Sequence, residues 1–307
     1  MRESDLISDQ TRRAHQDACC DPVFNWQDRQ DFDFASRGLI CRPDDRDIRD
    51  ADGDIVWHHE QFEAFLHGEA PATVHPSLWR HALLNNYRGL FKVCEGVWQV
   101  RGESLGNATF VETDTGYICI DPLTTVETAR YAVELLYEHV GKRPIVGMIY
   151  SHTHSDHFGG VKGMITVEDV AKGRCLVVAS EGFTEWVLKE QGMAAEGMPS
   201  RNDYMYGENL EVSATGIVDT GLGQMIEGGE VTYIEPTDVI GTQGGAMVID
   251  GVEIEFMFAP GEAPTGMHCY FPKHKLLHCA DNCYMCLHNV YTIRGAFPRD
   301  AMQWADS

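Results

Sequence analysis

From Gly89 onward, apolar and polar residues alternate in short runs separated by turn signals. Phe91-Lys92-Val93-Cys94 and Val97-Trp98-Gln99-Val100 flank a Glu-Gly turn, and Thr109-Phe110-Val111-Glu112 and Tyr117-Ile118-Cys119-Ile120 flank Asp114-Thr115-Gly116. Period-two alternation around such turns predicts two hairpins. The period then changes. Val126, Ala129, Ala132, Val133, Leu136 and Val140 recur at helical spacing behind Thr124-Thr125-Val126-Glu127, which reads as a capping box, and Gly141 ends the run. Ile145 to Tyr150 is a short apolar stretch of the kind that forms a buried strand.

Further along, Cys175-Leu176-Val177-Val178 predicts a strand and Glu181 to Gln191 a helix, while residues 195 to 245, rich in glycine, predict a long and partly irregular excursion. Met247 to Phe258 reads as a hairpin around Asp250-Gly251, with strands at His268 to Phe271 and Lys275 to Ala280. Alternating strands and helices indicate an α/β class or a layered α+β sandwich, not an all-β fold. The first ninety residues are irregular in pattern. Their Asp/Arg-rich run from Arg42 to Asp54 contains Ala51-Asp52-Gly53-Asp54, which predicts a solvated hairpin turn; it lacks the alternating oxygen ligands and closing glutamate of a calcium loop.

At 307 residues the chain is long enough for one large globular domain or two small ones, and no repeat or low-complexity tract divides it. The formal net charge of -23 repels polyanions, which argues against nucleic acid or an anionic membrane surface as partner. An anionic substrate would therefore need local attraction. Met1 to Cys20 is charged throughout and does not read as a signal peptide, and no stretch is long enough to span a bilayer. The ten cysteines are accordingly expected as reduced thiols in a cytoplasmic setting.

The chemistry concentrates in Ser151-His152-Thr153-His154-Ser155-Asp156-His157-Phe158-Gly159-Gly160, which follows directly on the buried strand. Neutral imidazole and carboxylate oxygen are the donors zinc prefers, and a catalytic zinc leaves one position open for water. On a loop, His152 and His154 can face one metal while Asp156 and His157 turn toward a second. The plainer alternative is a polar loop of solvated or hydrogen-bonded histidines. Cys279, Cys283 and Cys286 form a C-x3-C-x2-C pattern, readable either as an iron-sulfur site or as small apolar residues on one face of a helix.

His152-Thr153-His154-Ser155-Asp156-His157 matches the HxHxDH signature, and the chain resembles the metallo-β-lactamase superfamily, whose fold is a four-layer αββα sandwich carrying one or two zinc ions. Its flanking stretches, from roughly Phe24 to Gly160 and from Tyr204 to Trp304, are similar to the alkylsulfatase branch. They include Asp28-Arg29-Gln30-Asp31-Phe32, Pro76-Ser77-Leu78-Trp79-Arg80, Tyr204-Met205-Tyr206-Gly207, Ala259-Pro260-Gly261-Glu262-Ala263-Pro264 and Leu287-His288-Asn289. The resemblance implies hydrolysis of an alkyl sulfate ester to alcohol and sulfate by water activated on a zinc pair. It implies His152, His154 and Glu262 on the first metal, Asp156 and His157 on the second, and Asp281 bridging, so that Asp156 and Asp281 sit at the reacting water. It also implies Arg294 gripping the sulfate, with Asn289 as an added donor. A lactone, thioester or β-lactam is the competing substrate class, and a catalytically silent metal-binding remnant the competing function.

Three departures from the branch stand out. A threonine usual before the glutamate is missing here, and Asp281 stands where the branch has glutamate. The family's last zinc-ligand histidine, its helical dimerisation region and its lipid-carrier-like domain lie beyond the region matching Leu287 to Trp304. The expectation is therefore an N-terminal extension over 1–88 packed on a catalytic domain over 89–307, with the second half of the sandwich incomplete. The second zinc is then weakly held, or a neighbouring histidine such as His288 substitutes. The expected partner is a small amphiphilic sulfate ester, with no nucleic acid and no membrane insertion.

Overall fold

The computed structural model describes residues 7–44, 47–193, 197–286, 288–295 and 297–307. The charges expected at Arg2, Glu3 and Asp5, and Leu287 of the Leu287-His288-Asn289 stretch, lie outside the described residues. Residues 7–88 carry α1 (Asp9–Cys20), α2 (Gln30–Ser36), β1 (Leu39–Cys41), β2 (Asp47–Arg49), β3 (Ile55–His58), α3 (Glu60–Glu63) and α4 (Pro76–Asn85). The irregularity expected for this region is thus corrected. Its strands are only three or four residues long, and α1 buries none of its side chains, so neither leaves a periodic trace. The turn at Ala51–Asp54 does join β2 to β3, with Asp50 Oδ1 accepting from the backbone N–H groups of Asp52 and Asp54 at 3.0 and 2.9 Å.

The two predicted hairpins are β4 (Gly89–Cys94) with β5 (Val97–Arg101), and β6 (Ala108–Glu112) with β7 (Tyr117–Ile120). The helix is α5 (Val126–His139), but its capping box is not the one the sequence suggests. Thr125 caps it with Thr128 as reciprocal partner, while Glu127 accepts from the Glu230 N–H. Next come β8 (Ile145–Ile149), α6 (Val167–Ala171), β9 (Leu176–Ser180), α7 (Phe183–Leu188), α8 (Met198–Tyr206) and β10 (Asp238–Ile240). The remaining elements are β11 (Gly245–Ile249), β12 (Val252–Phe258), β13 (Met267–Phe271), β14 (Leu276–His278) and α9 (Ala301–Asp306).

Eight strands form one sheet in the order β1-β4-β5-β6-β7-β8-β9-β10, and β11 to β14 form a second, consecutive sheet. β7, β8, β9 and β10 run parallel, so their C-terminal ends lie along one edge. Between the sheets, Val111, Ile118, Ile120 and Ile149 meet Ile254, Phe256, Met267 and Phe271 in a buried core. On the other face of the large sheet, Ala132, Val133 and Leu136 of α5 and Phe183 of α7 pack against Phe110, Cys119, Met148 and Val177. Each such side chain contributes on the order of 1.5–3 kcal/mol on burial.

The result is helix layer, sheet, sheet, three of the four layers of the expected αββα sandwich. The second sheet's outer face carries Val248, Met257 and Leu277 exposed, and among the described residues no helix layer covers it. Residues 7–88 add β1 to the edge of the large sheet beside β4, and Phe62, Leu66, Val74 and Trp79 build a small core together with Val218 from the later excursion. No helix among the described residues is long and apolar enough to cross a membrane.

One glycine fixes how the histidine loop seats on this frame. A Cβ at Gly160 would stand 2.2 Å from the Pro122 carbonyl oxygen, 2.6 Å from Ala129 Cβ and 2.6 Å from the Thr125 carbonyl oxygen, none of which is a flexible side-chain tip. Gly160→Ala is predicted to cost about 3 kcal/mol of folding free energy, the upper range for overpacking, as read by urea unfolding. An unchanged midpoint would show that the loop is not pressed against α5.

Candidate metal centre

Because β7 and β8 are parallel neighbours, their C-terminal ends place Asp121 beside the loop that starts at Ser151. Asp121 adopts φ 59°, a left-handed conformation that aspartate tolerates, and it is buried. Its Oδ1 accepts from the Ser151 N–H at 2.8 Å and its Oδ2 from the Ser151 hydroxyl at 2.6 Å. Oδ2 also accepts from His157 Nδ1 at 2.8 Å, so the proton sits on Nδ1 and the Nε2 lone pair is free to point inward. Ser151 passes the same order on. With its hydrogen given to Asp121, its oxygen accepts from His152 Nδ1 at 3.0 Å, which again leaves Nε2 as the lone-pair nitrogen.

The second wall comes from the turn after β12 and the 3-10 turn after β14. Glu262 Oε2 lies 2.7 Å from His154 Nδ1 and 3.3 Å from His152 Nε2, and those two nitrogens are 3.1 Å apart. Asp156 Oδ2 and Asp281 Oδ2 lie 3.0 and 3.3 Å from His157 Nε2. Asn282 joins the two turns. Its Oδ1 accepts from the Glu262 N–H at 2.9 Å and its Nδ2 donates to the Ala259 carbonyl at 2.8 Å. A Cβ at Gly261 would stand 2.5 Å from Asn282 Oδ1, so only glycine allows that approach. Ala280, just before Asp281, is itself held at φ 45°.

Two buried atoms in this cluster point to a metal. His157 Nε2 and Glu262 Oε2 are buried and have no hydrogen-bond partner, although charged or polar atoms surround both. Ligand atoms at about 2.0–2.1 Å from a tetrahedral ion lie roughly 3.3–3.4 Å from one another; the donor atoms here lie 2.7 to 3.3 Å apart, so the closer pairs would part slightly to take an ion. The donors fall into two overlapping groups, His152 with His154 and Glu262, and His152 with His157 and Asp281.

Charge follows the same convergence. Burial opposes ionisation of Glu262, but His154, with His152 and His288 also beside the carboxylate, holds its pKa well below 4.5. At His157 burial opposes the charged ring, and Asp156, Asp281 and Asp121 together lift its pKa well above 6.5. Asp156 is likewise held below the ordinary carboxylate range, burial being outweighed by His157.

Arg294 reaches the centre from the His154 side, its Nη2 3.5 Å from His154 Nε2. Asn289 does not reach it: it is exposed, and its side-chain oxygen accepts from Arg299 at 3.1 Å. His288 Nε2 lies 3.3 Å from Glu262 Oε1, the oxygen turned away from His152 and His154. Arg299 shares that oxygen through Nη2, and its Nε donates to the Glu262 carbonyl at 2.8 Å. The C-x3-C-x2-C motif forms neither structure expected of it. Residues 280–282 make a 3-10 turn without a following helix, and among the described residues no cysteine joins a metal-like group. All ten cysteines are free.

Residues 101–307 match the family model of the metallo-beta-lactamase superfamily. The chain belongs to the metallo-beta-lactamase superfamily. It is 42% identical to a linear primary-alkylsulfatase of Pseudomonas sp over 282 residues, 91% of this chain and 42% of that protein. It is equally 42% identical to the alkyl/aryl-sulfatase BDS1 of Saccharomyces cerevisiae, covering 91% of this chain and 44% of the relative. The solved structure of the stereoselective inverting sec-alkylsulfatase Pisa1 from Pseudomonas sp. superposes with a TM-score of 0.93 at 39% identity, over 97% of this chain and 47% of that one. The chain thus spans less than half the length of these relatives.

The metallo-beta-lactamase fold implies binding of a divalent metal, and the donors above are of the kind that hold one. Sequence reading found six of them but missed the residues that aim them. Asp121, Asn282 and Arg299 lie 36, 20 and 37 residues from the groups they orient, and no motif links them. An aspartate at a strand end, one strand before the histidine loop, was the available signal for Asp121.

Two further acids, Asp219 and Glu227, are pushed up by burial to about 6 and about 7. Raised carboxyl and raised imidazole act in the same direction. Each stabilises the fold below its unfolded pKa, and that contribution is lost as pH rises through the folded value. His268 and His278, lowered by burial, act the opposite way, but the raised Asp219, Glu227, His81, His154 and His157 outnumber them, so the metal-free protein is predicted to lose stability on balance from pH 5 to pH 8 in urea titrations. A divalent metal should remove the His157 part of that slope, since it binds the neutral ring. Stability rising with pH in the metal-free protein would contradict these assignments.

Proposed function

We propose that this chain carries the zinc-dependent centre of an alkyl sulfate ester hydrolase, which splits R–OSO3⁻ with water into an alcohol and sulfate. In this reading His152, His154 and Glu262 would hold one zinc and Asp156 and His157 a second, and Asp281 would be shared. Nitrogen and oxygen donors without thiolate suit zinc over softer metals. When bound, the metal pair supplies a Lewis acid that brings water toward neutral pKa and offsets charge growing on the sulfate oxygens.

The chain's own residues supply the rest. Arg294 presents a guanidinium fork to the tetrahedral oxyanion beside His154. Asp156 and Asp281 accept hydrogen bonds from the attacking water and orient it. A cavity of about 740 Å³ opens on the His157 side, with Asp121, Asp156, His157 and Asp281 at its charged end and Phe24, Trp26 and Phe34 among its apolar walls. Such a cavity suits an amphiphile whose sulfate meets the metals while its alkyl chain lies on the aromatic side.

The observation that carries this reading is the 42% identity to an alkylsulfatase across 91% of the chain, combined with convergence of the six donor residues. His154→Ala is predicted to abolish zinc-dependent sulfate release from dodecyl sulfate. Arg294→Ala should lower kcat/KM by on the order of 10²-fold, the scale of losing one group that stabilises transition-state charge. Undiminished turnover in His154→Ala would refute the reading.

A second reading, metal binding without turnover, is favoured by one feature: among the described residues the outer face of the second sheet, with Val248, Met257 and Leu277, is open. One zinc or fewer per chain, with no release from dodecyl sulfate, a lactone or nitrocefin, would select it.

A further inference from the structure

The cysteine motif leads to a different site. Cys286 Sγ lies 3.2 Å from Nδ1 of His81, a residue 205 positions earlier on α4. The other ring nitrogen, Nε2, lies 3.1 Å from the Gly221 carbonyl oxygen. A carbonyl can only accept, so Nε2 carries the ring hydrogen and Nδ1 turns its basic lone pair to the thiol. The ring is held there by a clamp. Asp219 accepts from the Gly221 N–H at 2.6 Å through Oδ1 and from Asn85 Nδ2 at 3.0 Å through Oδ2, and Asn85 lies one helical turn after His81. The contact with Cys286 lifts the His81 pKa above 6.5, with burial opposing.

Both residues line the 740 Å³ cavity that Asp156, His157 and Asp281 also line. A small molecule in that cavity meets the thiol with its base already in place, the arrangement that activates a sulfur nucleophile. We propose that Cys286 is a thiol–disulfide exchange site, with His81 as its base, that takes a low-molecular-weight disulfide from the cavity. Nδ1 of His81 takes the Cys286 proton, and the sulfur attacks one sulfur of R–S–S–R. The reagent's S–S bond breaks, Cys286–S–S–R forms, and the departing R–S⁻ takes the proton from His81 and leaves as R–SH. The Cys286 thiol is oxidised as one sulfur of the reagent is reduced. The adduct then occupies space in the cavity that the metal-site residues also line. This inference stands apart from the sulfatase reading, because it uses none of the donor residues.

Cys283, three residues earlier and more exposed, serves as internal reference. The full chain is incubated with oxidised glutathione, quenched with acid, and the rate of adduct formation at each cysteine is read by peptide mass spectrometry. Cys286 should react on the order of ten-fold faster than Cys283 despite its lower exposure, as expected of a thiol beside a base. His81→Gln should bring Cys286 to within about two-fold of Cys283 with the Cys283 rate unchanged. Equal rates in the wild-type chain, or an advantage that survives His81→Gln, overturns the proposal. Should His81→Gln loosen α4, both cysteines accelerate together, and the wild-type ratio then decides the matter by itself.

Discussion

Four carboxylates and three imidazoles cannot share a buried pocket without a compensating charge. Asp121 and Glu262 are buried beside His152, His154 and His157, and Asp156 and the 35% exposed Asp281 close the cluster from its rim. In the metal-free state protons on His154 and His157 offset part of that charge, which is why burial fails to neutralise the acids. The proposed zinc pair would bring four positive charges to four negative ones. Burying an ion of either sign alone costs several kcal/mol, so the ligand set and the metal are each other's condition.

The fold exists to hold that convergence still. Parallel pairing of β7 with β8 sets Asp121 against the histidine loop, and Asp121 then fixes which nitrogen of His157 and, through Ser151, of His152 faces inward. The inter-sheet core brings the turns after β12 and β14 to the same edge, where Asn282 locks them together. Arg299 binds the outer oxygen of Glu262 and leaves the inner one without a partner. Orientation by outer residues of this kind typically affects metal affinity by about 10–100-fold, so these positions matter nearly as much as the donors.

The hairpins, α5 and the strand before the histidine loop were legible because each has a clean period, and the HxHxDH spacing put four donors on one loop. Glu262 and Asp281 were legible only through resemblance, since an acid after a strand is otherwise commonplace. Asp121, Asn282 and Arg299 were not legible as site residues, because their roles depend on contacts 20 to 37 residues away in sequence. The small elements of the first ninety residues escaped for the opposite reason: they are too short or too polar to show a period. The capping of α5 by Thr128 in place of Glu127 shows how a buried threonine pair outcompetes the usual acid when the acid is drawn to a neighbouring loop. The cysteine triplet was read as a unit, yet its last member is partnered by a helix from the opposite end of the chain.

The central claim is that imidazole and carboxylate, and no thiolate, capture the metal. X-ray absorption at the zinc edge of the reconstituted chain tests it directly. The account predicts a first shell of nitrogen and oxygen only, at about 2.0–2.1 Å, with outer-shell scattering from histidine rings. A sulfur shell near about 2.3 Å, or the unstructured spectrum of a hydrated ion, would contradict it.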